Sequence, residues 1–212
     1  KIINEYKIPI ISLERPLMDQ KIGTVKVDNE YGGYLVTKHL IDMGHKSIAH
    51  ITGHLGYPMS WDRMAGYKRA LQEHGLAINE SLIVTRGDFS PLSGYNAMRE
   101  LLSKGVPFTG VFAGNDQEAI GAMKAIKEEG LRIPQDIAVA GFDGISVASL
   151  VEPALTTVSF SKYDLGTKSV EALIQVIKNP GSAPGHQVLP IDLIVRRSSD
   201  PYADSSWDLF GW

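Results

Sequence analysis

The sequence predicts an α/β fold, doubly wound, with parallel sheets covered by helices. Three observations carry this. Strand-like and helix-like stretches alternate almost throughout. The strand-like runs are too continuously apolar for a sheet with one wet face, so helices must cover both faces. The helical stretches stop at glycine, which takes the left-handed backbone conformation without strain.

Taken in order, residues 1–7 read as the end of a helix. β-Branched, apolar runs follow at 8–13, 24–27, 47–52, 82–85, 109–113, 137–142, 155–159 and 188–195. Between them lie segments of three-to-four-residue apolar spacing. One face holds Tyr34, Leu35, Lys38, His39, Ile41 and Asp42, closed by Gly44. Met64, Tyr67, Leu71 and His74 precede Gly75; Met98, Leu101 and Leu102 precede Gly105; Ile120, Met123, Ala125 and Ile126 precede Gly130. Leu165, Val170, Leu173, Ile174 and Ile177 form the last helical face, stopped by Asn179-Pro180-Gly181. Ser90-Pro91 is a helix start, a capping hydroxyl before a first-turn proline. Residues 179–186 form a Pro/Gly/Ser linker. The tail, residues 200–212, carries Trp207, Leu209, Phe210 and Trp212 without periodicity, and reads as a frayed or appended end or as a docking segment.

With 212 residues, such a chain buries roughly 70% of its unfolded surface and needs no disulfide or metal to stand. It has no cysteine, which excludes thiol catalysis, thiolate zinc sites and iron–sulfur clusters. A net charge of −3 argues against nonspecific nucleic-acid affinity, which needs clustered Lys and Arg. No apolar run approaches the ~18–20 residues of a membrane span, and no secretory signal is visible. Because the chain begins with Lys1, a natural start upstream is expected. No cofactor and no metal are expected: His39, His45, His50 and His54 cluster in sequence, but no carboxylate is spaced to complete a shell.

In open parallel sheets, ligands bind where the carboxyl ends of strands lead into helices. There the sequence places Glu14-Arg15-Pro16, then Gly53-His54-Leu55-Gly56-Tyr57-Pro58 with Ser60-Trp61-Asp62-Arg63, Gly87-Asp88-Phe89, Gly114-Asn115-Asp116 and Asp143-Gly144. A guanidinium, an amide and carboxylates can pair with vicinal hydroxyls, and an aromatic face covers the C–H side of a sugar ring. The set describes a site for a small polyhydroxylated or heterocyclic molecule. The alternative is that Asn115 and Asp143 cap helices or fix turns and that Phe89 is core. No nucleophile elbow, phosphate loop or dinucleotide fingerprint is present, and nothing selects two of Asp62, Asp116 and Asp143 as an acid/base pair.

The segments Val27-Asp28-Asn29-Glu30-Tyr31-Gly32-Gly33-Tyr34, His39-Leu40-Ile41-Asp42-Met43-Gly44-His45, Arg63-Met64-Ala65-Gly66-Tyr67, Gly87-Asp88-Phe89-Ser90, Asn115-Asp116-Gln117, Gly141-Phe142-Asp143, Pro153-Ala154-Leu155-Thr156-Thr157-Val158 and Leu193-Ile194-Val195-Arg196-Arg197-Ser198 follow one another in an order and spacing that resembles the LacI/GalR family of bacterial transcription regulators. The resemblance runs from about Ile8 to Pro201. It departs at Thr157-Val158-Ser159-Phe160-Ser161, where such sequences often read Thr-Thr-Val-x-Gln-Pro.

The resemblance implies an effector-binding core of periplasmic-binding-protein type: two α/β subdomains facing across a cleft, joined by crossings near residues 25–28, 156–160 and 189–193. Residues 1–27 would belong to an incomplete N-terminal subdomain, 28–157 to the C-terminal one, 158–188 to the return and 189–199 to the crossing back, before the tail. It implies effector contacts at Arg63, Phe89, Asn115 and Asp143, with Glu14 opposite. Tyr57 and Met59 would tune specificity, and Trp61 is a further aromatic candidate. It implies a cytoplasmic homodimer, for which Ile120, Leu150 and Val151 are interface candidates if not core. Operator DNA would be read by a helix-turn-helix that this chain lacks, together with a hinge helix and roughly 60 residues of first strand–helix units. An exported sugar-binding protein of a transport system is the alternative, and an enzyme using Asp116 or Asp143 a third.

Overall fold

The computed structural model describes residues 8–15, 22–179 and 185–204. The expectations for residues 1–7 and for Trp207, Leu209, Phe210 and Trp212 lie outside them. The strands are β1 (Ile11–Leu13), β2 (Gly23–Val27), β3 (Ile48–Ile51), β4 (Ile83–Val84), β5 (Gly110–Ala113), β6 (Ala138–Asp143), β7 (Thr156–Ser159), β8 (His186–Leu189) and β9 (Asp192–Ile194). The helices are α1 (Asn29–Asp42), α2 (Pro58–Glu73), α3 (Pro91–Ser103), α4 (Asp116–Glu128) and α5 (Lys162–Lys178). The predicted glycine stops Gly44, Gly75, Gly105 and Gly130 all have positive φ. Ser90 caps α3 by accepting from Ser93 N at 3.1 Å.

The chain forms two compact units. The smaller takes the described residues up to Asp28 and Phe160–Ile191; the larger takes Asn29–Ser159 and the described residues from Asp192. In the smaller, β2 lies between β1 and β8, all parallel. On α5 only Ser169 and Ala172 are buried, while the predicted face residues Val170, Ile174 and Ile177 are exposed among the described residues.

In the larger unit the order is β4-β3-β5-β6-β7-β9. Its second strand flanks its first, and the third, fourth and fifth run away on the other side. This is a doubly wound order, with its switch point between β3 and β5. Strand residues alternate between two buried faces. Ala49, Ile51, Val111, Ala113 and Val139 pack with Met98, Leu101, Ala122 and Ile126 of α3 and α4. Toward the other face, His50 stacks between Tyr67 and Phe112, at 5.0 and 4.7 Å between ring centres.

Three expectations are corrected. The run at 188–195 is not one strand. Pro190 interrupts it, since proline offers no N–H to a ladder, and the halves join different sheets: β8 pairs with β2 and β9 with β7. The larger sheet is not wholly parallel, because β9 runs antiparallel. Residues 192–199 hold its edge: Ser198 Oγ donates to Val139 O at 2.6 Å, Thr156 N donates to Ser198 Oγ at 2.8 Å, and Arg196 Nη1 donates to Leu155 O at 2.8 Å.

The third correction concerns α1, whose buried face is Gly32, Gly33, Val36, Thr37 and Leu40 rather than Tyr34, Leu35, Lys38, His39 and Ile41. Apolar spacing misses it because glycine makes the contact: a Cβ on Gly33 would fall on the Arg63 carbonyl oxygen, and one on Gly66 on that of Glu30. Helices α1 and α2 thus touch backbone to backbone. Gly33→Ala is expected to destabilise by about 2–3 kcal/mol through overpacking and to lower Tm by roughly 5–10 °C. Gly166→Ala in α5, where a Cβ meets nothing within 4 Å, should be neutral or stabilising. Thermal unfolding of the pair checks the contrast.

Candidate ligand-binding site

At the switch point, the loops after β3 and β5 lead to helices on opposite faces of the sheet, which opens a crevice at the strand ends. Helix α2 starts at Pro58, in the first turn where its missing N–H is harmless. This puts Arg63 on the inward side of the second turn, 3% exposed. Its Nε donates to Asn29 Oδ1 at 2.9 Å, Nη1 to Gly114 O at 2.6 Å and Nη2 to Asp143 Oδ1 at 3.1 Å. The guanidinium lies 3.6 Å over the Phe142 ring. A planar fork filled on every edge is rigid, so it fixes the Asp143 carboxylate, whose side chain stays 28% exposed.

Asp143 ends β6 with φ 103°, and Gly144 follows at 64°. The buried Asp116 pins that turn. Its Oδ2 accepts from Ile145 N at 2.8 Å and its Oδ1 from Thr157 Oγ1 at 2.5 Å, while Gly144 N donates to the same hydroxyl at 3.2 Å. Asp116 therefore shapes the loop rather than facing a ligand.

Phe89 also has left-handed backbone, φ 68°. Its N–H donates to Glu118 Oε1 at 3.0 Å, and its carbonyl accepts from Asn115 Nδ2 at 3.1 Å. The ring lies against Gly53, where a Cβ would collide with it, and 6.1 Å from the Tyr57 ring at 29°. Asn115 caps α4, its Oδ1 accepting from Glu118 N at 2.8 Å. Only 7% exposed, it has both amide atoms engaged with protein.

The structure thus brings Arg63 to Asp143, Phe89 to Tyr57, and Asn115 to Phe89. Met59 is half-buried in the first turn of α2. Trp61 is 52% exposed, its Nε1 donating to Leu55 O at 2.9 Å. Glu14 belongs to the smaller unit, where its Oε1 accepts from Val27 N at 2.8 Å. His50 is buried in β3, and His54 is exposed in the following loop. Ile120 and Val151 are half-buried and line one shallow depression with Met123, Lys124 and Lys127, while Leu150 is 47% exposed.

Sequence reasoning missed Glu118. In the first turn of a helix an acidic residue reads as a solvated charge favoured by the helix dipole, yet Glu118 is fully buried. The available signal was glycine: Gly87, Gly94 and Gly114 all lack a Cβ where Glu118 sits.

The arrangement offers a partly exposed carboxylate held by a fixed guanidinium, and at the same strand ends a Phe89–Tyr57 ring pair. It can accept hydrogen bonds from hydroxyls or N–H groups and cover an apolar ring face. The sequence matches the periplasmic binding protein-like domain family over residues 37–199. The HTH-type transcriptional regulator AscG of Escherichia coli K12 is 37% identical over 183 residues, 86% of this chain and 54% of that protein. The chain spans about half the length of the curated relatives it matches. The structure of the transcriptional regulator CelR in complex with cellobiose superposes with a TM-score of 0.88 at 34% identity, covering 93% of this chain and 61% of that one. A LacI family transcriptional regulator from Enterococcus faecium with bound ribose gives 0.85 at 30% identity, covering 95% and 74%.

Proposed function

Since the chain belongs to the LacI family of transcriptional regulators and carries its periplasmic-binding-protein-like domain, we propose that it is the ligand-sensing core of a bacterial regulator whose effector is a small polyhydroxylated molecule. The observation that carries the ligand class is the partly exposed Asp143 carboxylate held by Arg63 at the strand ends of the larger unit, whose loops also pair the Phe89 and Tyr57 rings. The cellobiose and ribose held by structural neighbours support a sugar-like effector. Arg63 holds Asp143 to accept hydroxyl hydrogen bonds, Phe89 covers the ring, and Tyr57, Met59 and Trp61 adjust the fit. Asn115 acts by holding Phe89, and Glu14 is a further proposed contact.

Effector binding shifts the regulator between states of different operator affinity, by no more than its differential affinity for those states. Operator DNA is read by a helix-turn-helix outside these residues. A homodimer forms through the face bearing Ile120, Leu150 and Val151. The relatives are named regulators, so the reading is of binding without turnover, in the cytoplasm, rather than of transport.

A thermal-shift screen of sugars and nucleobases on the full-length protein tests this. At 100 times Kd a ligand should stabilise by about 2.7 kcal/mol. Asp143→Asn and Phe89→Ala should each abolish the shift. Variants that keep the wild-type shift would overturn the site. The 212-residue chain should show no specific operator binding by fluorescence anisotropy.

A further inference from the structure

Glu118 is a carboxylate fully enclosed in protein, a placement that normally demands partners on both oxygens. Its Oε1 accepts from Phe89 N at 3.0 Å and from Ser93 Oγ at 3.1 Å. Its Oε2 has no hydrogen-bond partner among the described residues. The space it fills is cut for it: a Cβ on Gly87 would collide with Oε1, one on Gly114 would stand 2.8 Å from Oε2, and one on Gly94 would collide with the Glu118 backbone. Two loops and helix α3 give up a side chain around one acid. What the acid does is visible at Phe89, a residue with a Cβ held at φ 68°, a conformation that is uncommon for a bulky side chain and must be held by its surroundings. Glu118 grips the N–H of that residue, while Asn115 grips its carbonyl.

We infer that Glu118 is a positioning residue for effector binding: its carboxylate locks Phe89 in the left-handed conformation that lays the ring against Gly53 and beside Tyr57, and its ionisation sets how firmly the ring is held. The effector half of this rests on the reading of Phe89 as a ligand contact. Burial, reinforced by the Asp88 carboxylate, pushes Glu118 up to about 7, against the lowering effect of the Phe89 N–H, the Ser93 hydroxyl and the Arg63 charge. The ionised form makes charge-assisted bonds to Phe89 and Ser93, and these are about twice as strong as the neutral ones. The hold therefore tightens as pH rises through neutrality.

The decisive measurement needs no ligand. In protein labelled with 15N-phenylalanine, the Phe89 amide resonance should titrate with a midpoint near 7 and lie flat in Glu118→Gln, which keeps the shape and an acceptor oxygen but not the charge. Asp88→Asn, a surface change that removes a charge facing Glu118, should move the midpoint down, and it decides the matter if Glu118→Gln does not fold. His54, tilted against Tyr57 at 5.2 Å between ring centres, is the control: His54→Gln should leave the titration in place. A Phe89 amide that does not titrate, or that titrates unchanged in Glu118→Gln or Asp88→Asn, or that stops titrating in His54→Gln, overturns the inference.

In a second arm, cellobiose and D-ribose are titrated at pH 6 and pH 8 into the full-length protein. A bound sugar should gain roughly five-fold in affinity at the higher pH, a gain absent in Glu118→Gln. A sugar bound equally at both pH values refutes the link to affinity. If neither sugar binds while the Phe89 amide titrates, the sugar reading fails and the lock on Phe89 stands.

Discussion

Arg63→Ala is expected to destabilise the larger unit by about 3 kcal/mol, in the range for breaking a buried pair by removing one partner, and to abolish effector binding. The truncation strips donors from Asn29 Oδ1, Gly114 O and Asp143 Oδ1 at once and uncovers the Phe142 ring. Asp143 is partly exposed and recovers some hydration, which sets the cost at the lower end. Arg63→Lys should fare little better, because a single ammonium cannot reach three acceptors arranged around a planar fork. Urea unfolding midpoints measure the stability loss. Calorimetric titration well below the variant's Tm separates it from loss of binding. A variant that unfolds at the wild-type urea concentration would show that the buried guanidinium network contributes nothing net.

The second large effect is an acid limb in stability set by His50. Burial between Tyr67 and Phe112, helped by the Lys68 and Arg63 charges, pulls this imidazole from 6.5 down to about 4, against the raising effect of its Nδ1 bond to Phe112 O at 2.9 Å. The folded state keeps the ring neutral where the unfolded chain protonates it. Between those values the unfolded state binds more protons, so stability falls as pH drops from 6.5 towards 4, by about 3 kcal/mol. His50→Phe keeps a ring in the stack and removes the titration, so its urea midpoint should be flatter over that window. Glu118 works in the opposite sense. Its folded value lies above the ordinary carboxylate range, so the folded state binds the extra proton, and the stability from this group declines as pH rises from about 4.5 through 7. Unfolding midpoints of wild type, His50→Phe and Glu118→Gln across pH 4–8 should separate the two slopes. An acid limb that persists in His50→Phe would assign it to other groups.

The parts of this fold legible in the sequence are those whose signal is local. β-Branched runs gave β3, β5, β6 and β7 to within a residue or two, and glycine stops gave the ends of α1 to α4. With the strands in place, topology brings the loops of the candidate site to one sheet edge, and Arg63 lies there beside Asp143. What hydropathy cannot register is contact made by absent atoms. Gly33 and Gly66 bring two helices together without an apolar side chain, so apolar spacing points to the wrong face of α1. Glu118 and Asp116 sit at a helix start, where acids are ordinarily solvated. Only glycines, the distant 87, 94 and 141 and the neighbouring 114, reveal that both are enclosed. Pro190 marks a break inside the apolar run 188–195 that hydropathy alone passes over, and nothing local shows that its two sides belong to different sheets, since strand partnership is settled by packing far along the chain.

The antiparallel strand β9 has a consequence for how the protein is made. The edge presented by Thr156–Ser159 is covered by residues 192–199, and the ribosome must synthesise residues 160–191 before it reaches them. At ~5–20 residues per second, the nascent chain carries an uncovered strand edge for several seconds, the surface on which unfinished chains stick to one another. Premature termination between Ser159 and Ser198 should therefore yield insoluble product, even though nearly every residue of the larger sheet has already been translated.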